Sequence, residues 1–440
     1  MKRRLTALLL LFCMLLTFSA GCGSGDEVTD IADTESMTEA DETKEENDML
    51  PADTKDEIFA APVEVETPAE DIAAYYDELG ELDFASLGCK IDTNAKIEDD
   101  SRNGTDFIYV TSEKYHYSFG YYSNNPWVNS DVIIMSRGKE AKDFHNCELV
   151  AVDMKNRAVY ELGIVVNDFS EFVVWHELLY YIKGSTLSVF NLKTGEKREL
   201  LTYNGGIGFP HMTNDGRYMN FASTVDGKCT GVIYDIEKNE TKIILQKNFS
   251  APFNVANHMM ISPINPNMMF FSHEGTTQYI SNRLWMAEMG KEPYCIVKQN
   301  LTENYDLGDC VGHECWSFDG KGLWYVKYSL SPTPPRGICY IDLAAKDNSV
   351  QVLYSKYPYW HVSCSPDGRY VGADTQSGSY SGVCLIDRTT GEESMLVKAR
   401  TNWVHPCHPH PCFSPASDKL AFHDMSIDDT VSVGIITITK

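Results

Sequence analysis

No Cys-x-x-Cys pair occurs in this chain, although it carries 13 cysteines. That absence removes the common dithiol-redox and zinc-ribbon frameworks. Cys295, Cys339, Cys364 and Cys384 fall inside strand-like runs, where cysteine acts as a small buried apolar residue. Cys310 with Cys315, or Cys407 with Cys412, are close enough in sequence to pair in an exported chain, and the sequence leaves that open. A hydrophobic run of membrane-spanning length is also missing. The apolar stretch Leu5–Phe18 is too short, and it follows Lys2-Arg3-Arg4, the layout of an export signal. Large apolar residues are almost absent from Asp26 to Glu57, so nothing there can offset the entropy of ordering, and a disordered tether is expected. Basic residues are scarce at this end too. From Asp26 to Asp83 there are 22 acidic residues against Lys44 and Lys55, which accounts for most of the net charge of −26. The acidity therefore belongs to the stalk, and the folded part does not exclude an anionic substrate. No nucleic acid is expected as a partner.

Ser19-Ala20-Gly21-Cys22 resembles a bacterial lipobox, with Ser19 where leucine is usual. The expectation is cleavage before Cys22, acylation of that thiol, and an extracytoplasmic protein lipid-anchored to the bacterial cell membrane, with only lipid touching the bilayer. The expected layout is a signal peptide over 1–21, an acidic linker over 22–69, a short helix (Glu70–Leu79) with a lead-in over 70–105, and a folded domain over 106–440.

That domain is written in repeats. His258-x-x-x-Ser262-Pro263, His313-x-x-x-Ser317-x-Asp319-Gly320, His361-x-x-x-Ser365-Pro366-Asp367-Gly368 and His410-x-x-x-Ser414-Pro415 are one motif. Each opens an alternating run that turns at Asp-Gly or its equivalent, as a strand entering a hairpin does. The period of about 45–50 residues is that of propeller blades. Units begin at Tyr117, Asp168, His211, His258, His313, His361 and His408, giving an all-β, seven-bladed β-propeller; the divergent first two units leave six or eight open. The last unit stops early, after Ser432–Ile438, so Phe107–Thr111 is expected to complete it and leave no long edge unpaired. Innermost strands line the channel of a propeller, so the repeated histidines should stand at similar height around the axis. His211 lies two residues nearer its turn, on the same face by period 2.

His405-x-x-His408-x-His410 places three of the twelve histidines in six residues, stiffened by Pro406, Pro409 and Pro411. With His361 from the neighbouring blade they make a four-imidazole set suited to a divalent transition metal. No carboxylate or thiolate accompanies them, which argues against calcium or structural zinc. His273-Glu274-Gly275 with Arg283, and Gly312-His313-Glu314, are weak motifs alone. Beside a metal they supply what elimination from a uronic acid needs: a base of near-neutral pKa and positive charge to neutralise the carboxylate next to the carbanion.

The run His258-x14-His273-Glu274-Gly275-x7-Arg283-x-Trp285, then Gly312-His313-Glu314-x-Trp316, Trp360-His361 and His408-Pro409-His410-Pro411, resembles the oligogalacturonate lyases of polysaccharide lyase family 22. The similarity spans about Val255 to Phe422. It implies a seven-bladed propeller with a divalent ion, most often manganese, and β-elimination of short, often unsaturated, oligogalacturonides to 5-keto-4-deoxyuronate in pectin degradation. By motif matching, His313 is the base and Arg283 binds or neutralises the substrate carboxylate. His361, His408 and His410 fall on metal ligands, and His405 falls where the family commonly has glutamine. His258, His273 and Glu274 fall on positions that support the site or touch substrate, and His211 is read as a substrate contact. Tyr121, Asn125, Trp127, His176 and His211 stand where the early blades depart from the family. The alternative is a non-catalytic propeller lipoprotein that binds a glycan or a protein partner. The joint presence of base, arginine and metal ligands favours the lyase.

Overall fold

The turns set the repeat. In the sixth unit the Ser365 hydroxyl donates to Asp367 (2.6 Å) and accepts from the Tyr370 backbone N–H (2.8 Å), while Gly368 takes the left-handed conformation (φ 69°). Ser317 with Asp319, and Thr213 with Asp215, close their turns in the same way. The hydroxyl satisfies backbone groups that a tight turn leaves unpaired, and only glycine adopts that φ without cost. At Gly216 (φ 68°) a Cβ would also meet the Trp175 ring at 2.1 Å.

The structure is a computed structural model that describes residues 79–439, apart from 140–143, 276–279, 281, 300–307, 346–349 and 427–428. The signal segment, Cys22, the acidic linker and almost all of the expected Glu70–Leu79 helix lie outside the described residues. Those described are all-β and form seven antiparallel sheets in a seven-bladed propeller. The second to sixth blades each have four strands in chain order. Their innermost strands are Phe172–Trp175, Gly208–Met212, Ala256–Ile261, Val311–Trp316 and Tyr359–Cys364.

The last blade closes the ring as expected. Cys412–Phe413, Lys419–Met425 and Val431–Thr437 come from the C-terminus, and Thr105–Ser112 pairs with the last of them, Phe107 opposite Ile436 and Val110 opposite Val433. Two further strands correct the expected domain start. Ala95–Arg102 adds a fifth strand to this blade, and Lys90–Ile91 edges the first. The sheet therefore begins before residue 106. Buried Asp424 staples this closure, accepting from Arg102 (2.8 Å), the Tyr109 hydroxyl (2.8 Å) and the Arg400 backbone N–H (2.8 Å).

The apolar core among the described residues is divided into seven clusters, one at each interface between neighbouring blades. Phe270 with Tyr325, and Tyr370 with Phe422, are examples of side chains buried across such interfaces. Each aromatic ring so buried contributes about 1.5–3 kcal/mol. The ring is thus held by packing between sheets, which frees the channel for polar groups. None of the eleven described cysteines forms a disulfide, so neither spaced pair is bridged.

The first blade departs from the pattern for a visible reason. Its innermost strand is interrupted: His116–Ser118 pairs with 136–138, and Trp127 bridges Ile133. The residues between run into the channel, where the Tyr122 hydroxyl donates to the Glu314 carbonyl (3.1 Å) and the Asn124 amide to the carbonyls of Ser170 and Phe172.

Candidate functional site

One register position recurs around the channel, three residues before the last paired residue of each innermost strand. It holds His258 (before Ile261), His313 (before Trp316), His361 (before Cys364) and His410 (before Phe413). The shared offset read from sequence is therefore a shared place in the sheet. The backbone there is not regular strand. Register slips lie between Asn257 and Met260, Gly312 and Cys315, and Tyr359 and Val362, and His258, His313 and His410 have φ of 51°, 51° and 48°. A bulge re-aims a side chain, and histidine tolerates this conformation better than most residues.

Three of the four predicted metal ligands converge. Ligand atoms of His361, His408 and His410 lie within 4.8 Å of one another, and all three side chains are buried. His405 stands beside them, its ring 4.5 Å from that of His408 and stacked at 5.2 Å on that of His410, but outside the converging trio. Burial, with the neighbouring imidazoles, holds His361 and His410 well below the usual histidine range and His405 at about 3. The imidazoles are thus neutral at neutral pH, the form that binds metal. The Nε2 of His361 and both ring nitrogens of His410 are buried without a hydrogen-bond partner. Buried polar nitrogens left unpaired are costly, and here they converge on one point. This donor set fits a divalent transition ion.

Two residues that the sequence reading missed hold this group. Asp374 accepts from the His361 backbone N–H (2.8 Å), from the His410 backbone N–H (3.1 Å) and from His361 Nδ1 (2.8 Å). It fixes the tautomer that leaves Nε2 free, the usual carboxylate–histidine support of a metal ligand. Burial pushes the Asp374 carboxyl up to about 7. In the next blade His423 does a related job. Its Nδ1 donates to the His408 carbonyl (3.0 Å), its Nε2 lies 2.9 Å from the Ser118 hydroxyl, and its ring stacks on Phe119 at 4.0 Å. Asp374 and His423 both lie 13 residues after a repeated histidine, so a signal existed in the spacing, though not in the residue type. Asp374→Asn is expected to weaken metal binding about 10–100-fold while the fold persists, read by competition against a chelating dye.

His313 lies at the edge of the trio, its ring 4.0 Å from that of His361. Its Nδ1 donates to the Trp360 carbonyl (2.7 Å), with the Tyr328 hydroxyl 3.0 Å from the same nitrogen. Nε2 is then the basic nitrogen. Burial, with His361 beside it, pushes the imidazole well below the usual range.

Arg283 is where sequence and geometry part most. Its Nε donates to Glu314 (3.0 Å) and its Nη1 and Nη2 to Glu274 (3.1 and 3.3 Å); the side chain is only 4% exposed. His258 bridges the same carboxylates, Nδ1 3.3 Å from Glu314 and Nε2 3.8 Å from Glu274. Burial alone would raise Glu314, but Arg283 and His258 hold it well below the carboxylate range. The arginine's charge is thus already compensated, and a substrate carboxylate has to compete with Glu274, the more exposed partner (18%).

The remaining predicted contacts separate. His273 stacks on Phe249 (3.7 Å) with Nε2 on the Phe253 carbonyl (2.7 Å), a scaffold role outside the cluster. His211 is not at the shared register position. It lies 3.0 Å from the Ser123 hydroxyl and lines a channel cavity of about 210 Å³ with Trp316 and Cys364, because its own bulge, between Gly208 and His211, gives the register position to Phe209. Trp127 is wholly buried core, His176 packs edge-on to Trp175, and Asn125 caps the Val174 and Trp127 backbone. Of the early-blade residues, Tyr121 does reach the site, its ring 5.1 Å from His410 and 6.0 Å from both His258 and His405.

No protein-family model matches this sequence. No curated protein matches it either. Among solved structures, an oligogalacturonate lyase in complex with manganese aligns over 80% of this chain and 98% of its own, with a TM-score of 0.67 at 17% identity. The fold is that of the oligogalacturonate lyases. A second such lyase, from Vibrio parahaemolyticus, aligns over 80% of this chain and 99% of its own, with a TM-score of 0.66 at 16% identity.

Proposed function

We propose that the chain is a metal-dependent lyase that cleaves short oligogalacturonides by β-elimination, as part of pectin degradation. The observation that carries this reading is the buried His361–His408–His410 trio with unpartnered nitrogens, placed against a fourth histidine whose tautomer is fixed. His361, His408 and His410 would hold the ion, and His405 is near enough to join them. Manganese is the ion of choice by analogy with the fold's relatives. When bound, such an ion supplies positive charge that lowers the energy of a carbanion beside the substrate carboxylate.

The chain's own groups divide the rest. His313 Nε2 takes the proton from C5 of the uronide while Nδ1 stays on the Trp360 carbonyl. The electron pair forms the C4–C5 double bond as the C4–O bond breaks, and the departing oxygen ends as a hydroxyl. Arg283, freed in part from Glu274, would face the carboxylate, while Glu314, itself paired with His258, holds its Nε. Tyr121 lies across the channel beside the trio, and burial pushes its hydroxyl above the usual tyrosine range, so it brings no negative charge to an anionic sugar. The lipobox-like Cys22 and the acidic stretch after it support an extracytoplasmic protein on a lipid anchor.

One observation favours the second reading, a propeller that binds a glycan or protein without turnover. Arg283 is matched by two carboxylates, which suits a structural network as well as a catalytic one. A panel of saturated and unsaturated di- and tri-uronides, analysed for products by mass spectrometry, separates the two. Conversion of galacturonides to keto-deoxyuronate supports the lyase. Binding without conversion of any uronide in the panel supports the second reading.

A further inference from the structure

The register position that carries histidine in four blades carries Phe209 in the third, three residues before Met212. Phe209 shares the backbone of its histidine counterparts, with φ 52° against 51° at His258 and His313. For a bulky aromatic residue this conformation is strained, and the following Pro210 pushes its predecessor toward extended backbone instead. The strain is locked in by the bulge between Gly208 and His211, and the Phe209 carbonyl lies 3.2 Å from His211 Nδ1. The ring gains little from the core, because the residue is 37% exposed. Strain kept for a part-exposed ring at the register of the site histidines points to use of the ring itself.

We propose that Phe209 is the platform on which a sugar ring of the substrate stacks, so that the oligosaccharide runs from the metal-ligand trio past His313 and His258 to the third blade. This rests on the uronide-lyase reading and adds to it the residue that fixes where the second sugar lies. One face of a pyranose is a patch of C–H groups, and an aromatic ring offers the complementary apolar surface. The Glu171 carboxyl lies 3.9 Å from where a Cβ on Gly208, the residue before Phe209, would stand. Burial, with Asp168 beside it, pushes Glu171 up to about 8, so at neutral pH it is mostly protonated.

The test compares wild type, Phe209→Ala and Phe209→Trp, all loaded with manganese, by steady-state kinetics on di- and trigalacturonate and by thermal melting. Phe209→Ala is expected to raise KM about tenfold with kcat changed less than about twofold. Its melting temperature should match wild type, and Phe209→Trp should restore KM. An unchanged KM in Phe209→Ala, with wild type active, overturns the platform and leaves the lyase standing. A raised KM that tracks a lowered melting temperature, and that tryptophan does not rescue, assigns the ring a structural role and also overturns it. A wild type inactive on every uronide removes the lyase reading and the platform together.

Discussion

Replacing His313 with alanine lowers turnover by about 10²–10⁴-fold, the usual worth of a positioned base, and leaves bound metal at the wild-type level. The two effects separate because His313 touches the site without belonging to the converging trio. Its nitrogen Nδ1 is engaged by the Trp360 carbonyl, and its ring only abuts His361. Its loss leaves the Trp360 carbonyl and the Tyr328 hydroxyl without this partner, so a melting curve of the variant accompanies the kinetics. Kinetics on digalacturonate with metal analysis of the same preparation check this. Full activity in the variant removes His313 as the base, and loss of metal alongside activity makes it a ligand instead.

Replacing Arg283 with alanine produces a second large effect, of a different kind. The guanidinium compensates two carboxylates in a buried network, and Glu314 has no exposed surface at all. Removing one partner of such a pair leaves an uncompensated buried charge and costs about 3–5 kcal/mol. The expected outcome is a fall of that size in unfolding free energy, measured in urea, together with lost activity. Arg283→Met combined with Glu274→Gln and Glu314→Gln removes the arginine and both carboxylate charges and should recover much of the stability, because neutral side chains of similar volume leave no stranded ion. It should not recover activity. If Arg283→Ala is as stable as wild type, the network is not the buried structural element described above.

Much of the fold was legible because each blade repeats the same local chemistry. A hydroxyl and an aspartate close the turn, glycine supplies the left-handed residue, and alternating apolar residues feed the interfaces between blades. Where the chemistry changes, legibility fails. In the first blade the residues before Trp127 leave the sheet for the channel, and in the second the turn Trp175–Leu178 is too short for the Ser-Pro-Asp-Gly device. The start of the domain was set too late for a similar reason: the strand Ala95–Arg102 is an exposed, highly charged edge, and its Asp99-Asp100 pair resembles the stalk more than a sheet. At the site, the convergence of His361, His408 and His410 was legible because the histidines recur at fixed offsets from their turns. Asp374 was missed because one aspartate inside a buried strand reads as a turn residue or an anomaly. His211 was misplaced because period 2 holds only in regular strand, and the bulge beside it breaks that rule.

The measurement that tests the central claim most directly is turnover of digalacturonate by the propeller stripped of metal and then resupplied with Mn²⁺, followed through the ultraviolet absorbance of the conjugated uronate. The account predicts that activity disappears on stripping and returns on titration to one ion per chain, and that His410→Ala restores nothing at the same metal concentration. Turnover that is indifferent to metal, or that survives in His410→Ala, would contradict it.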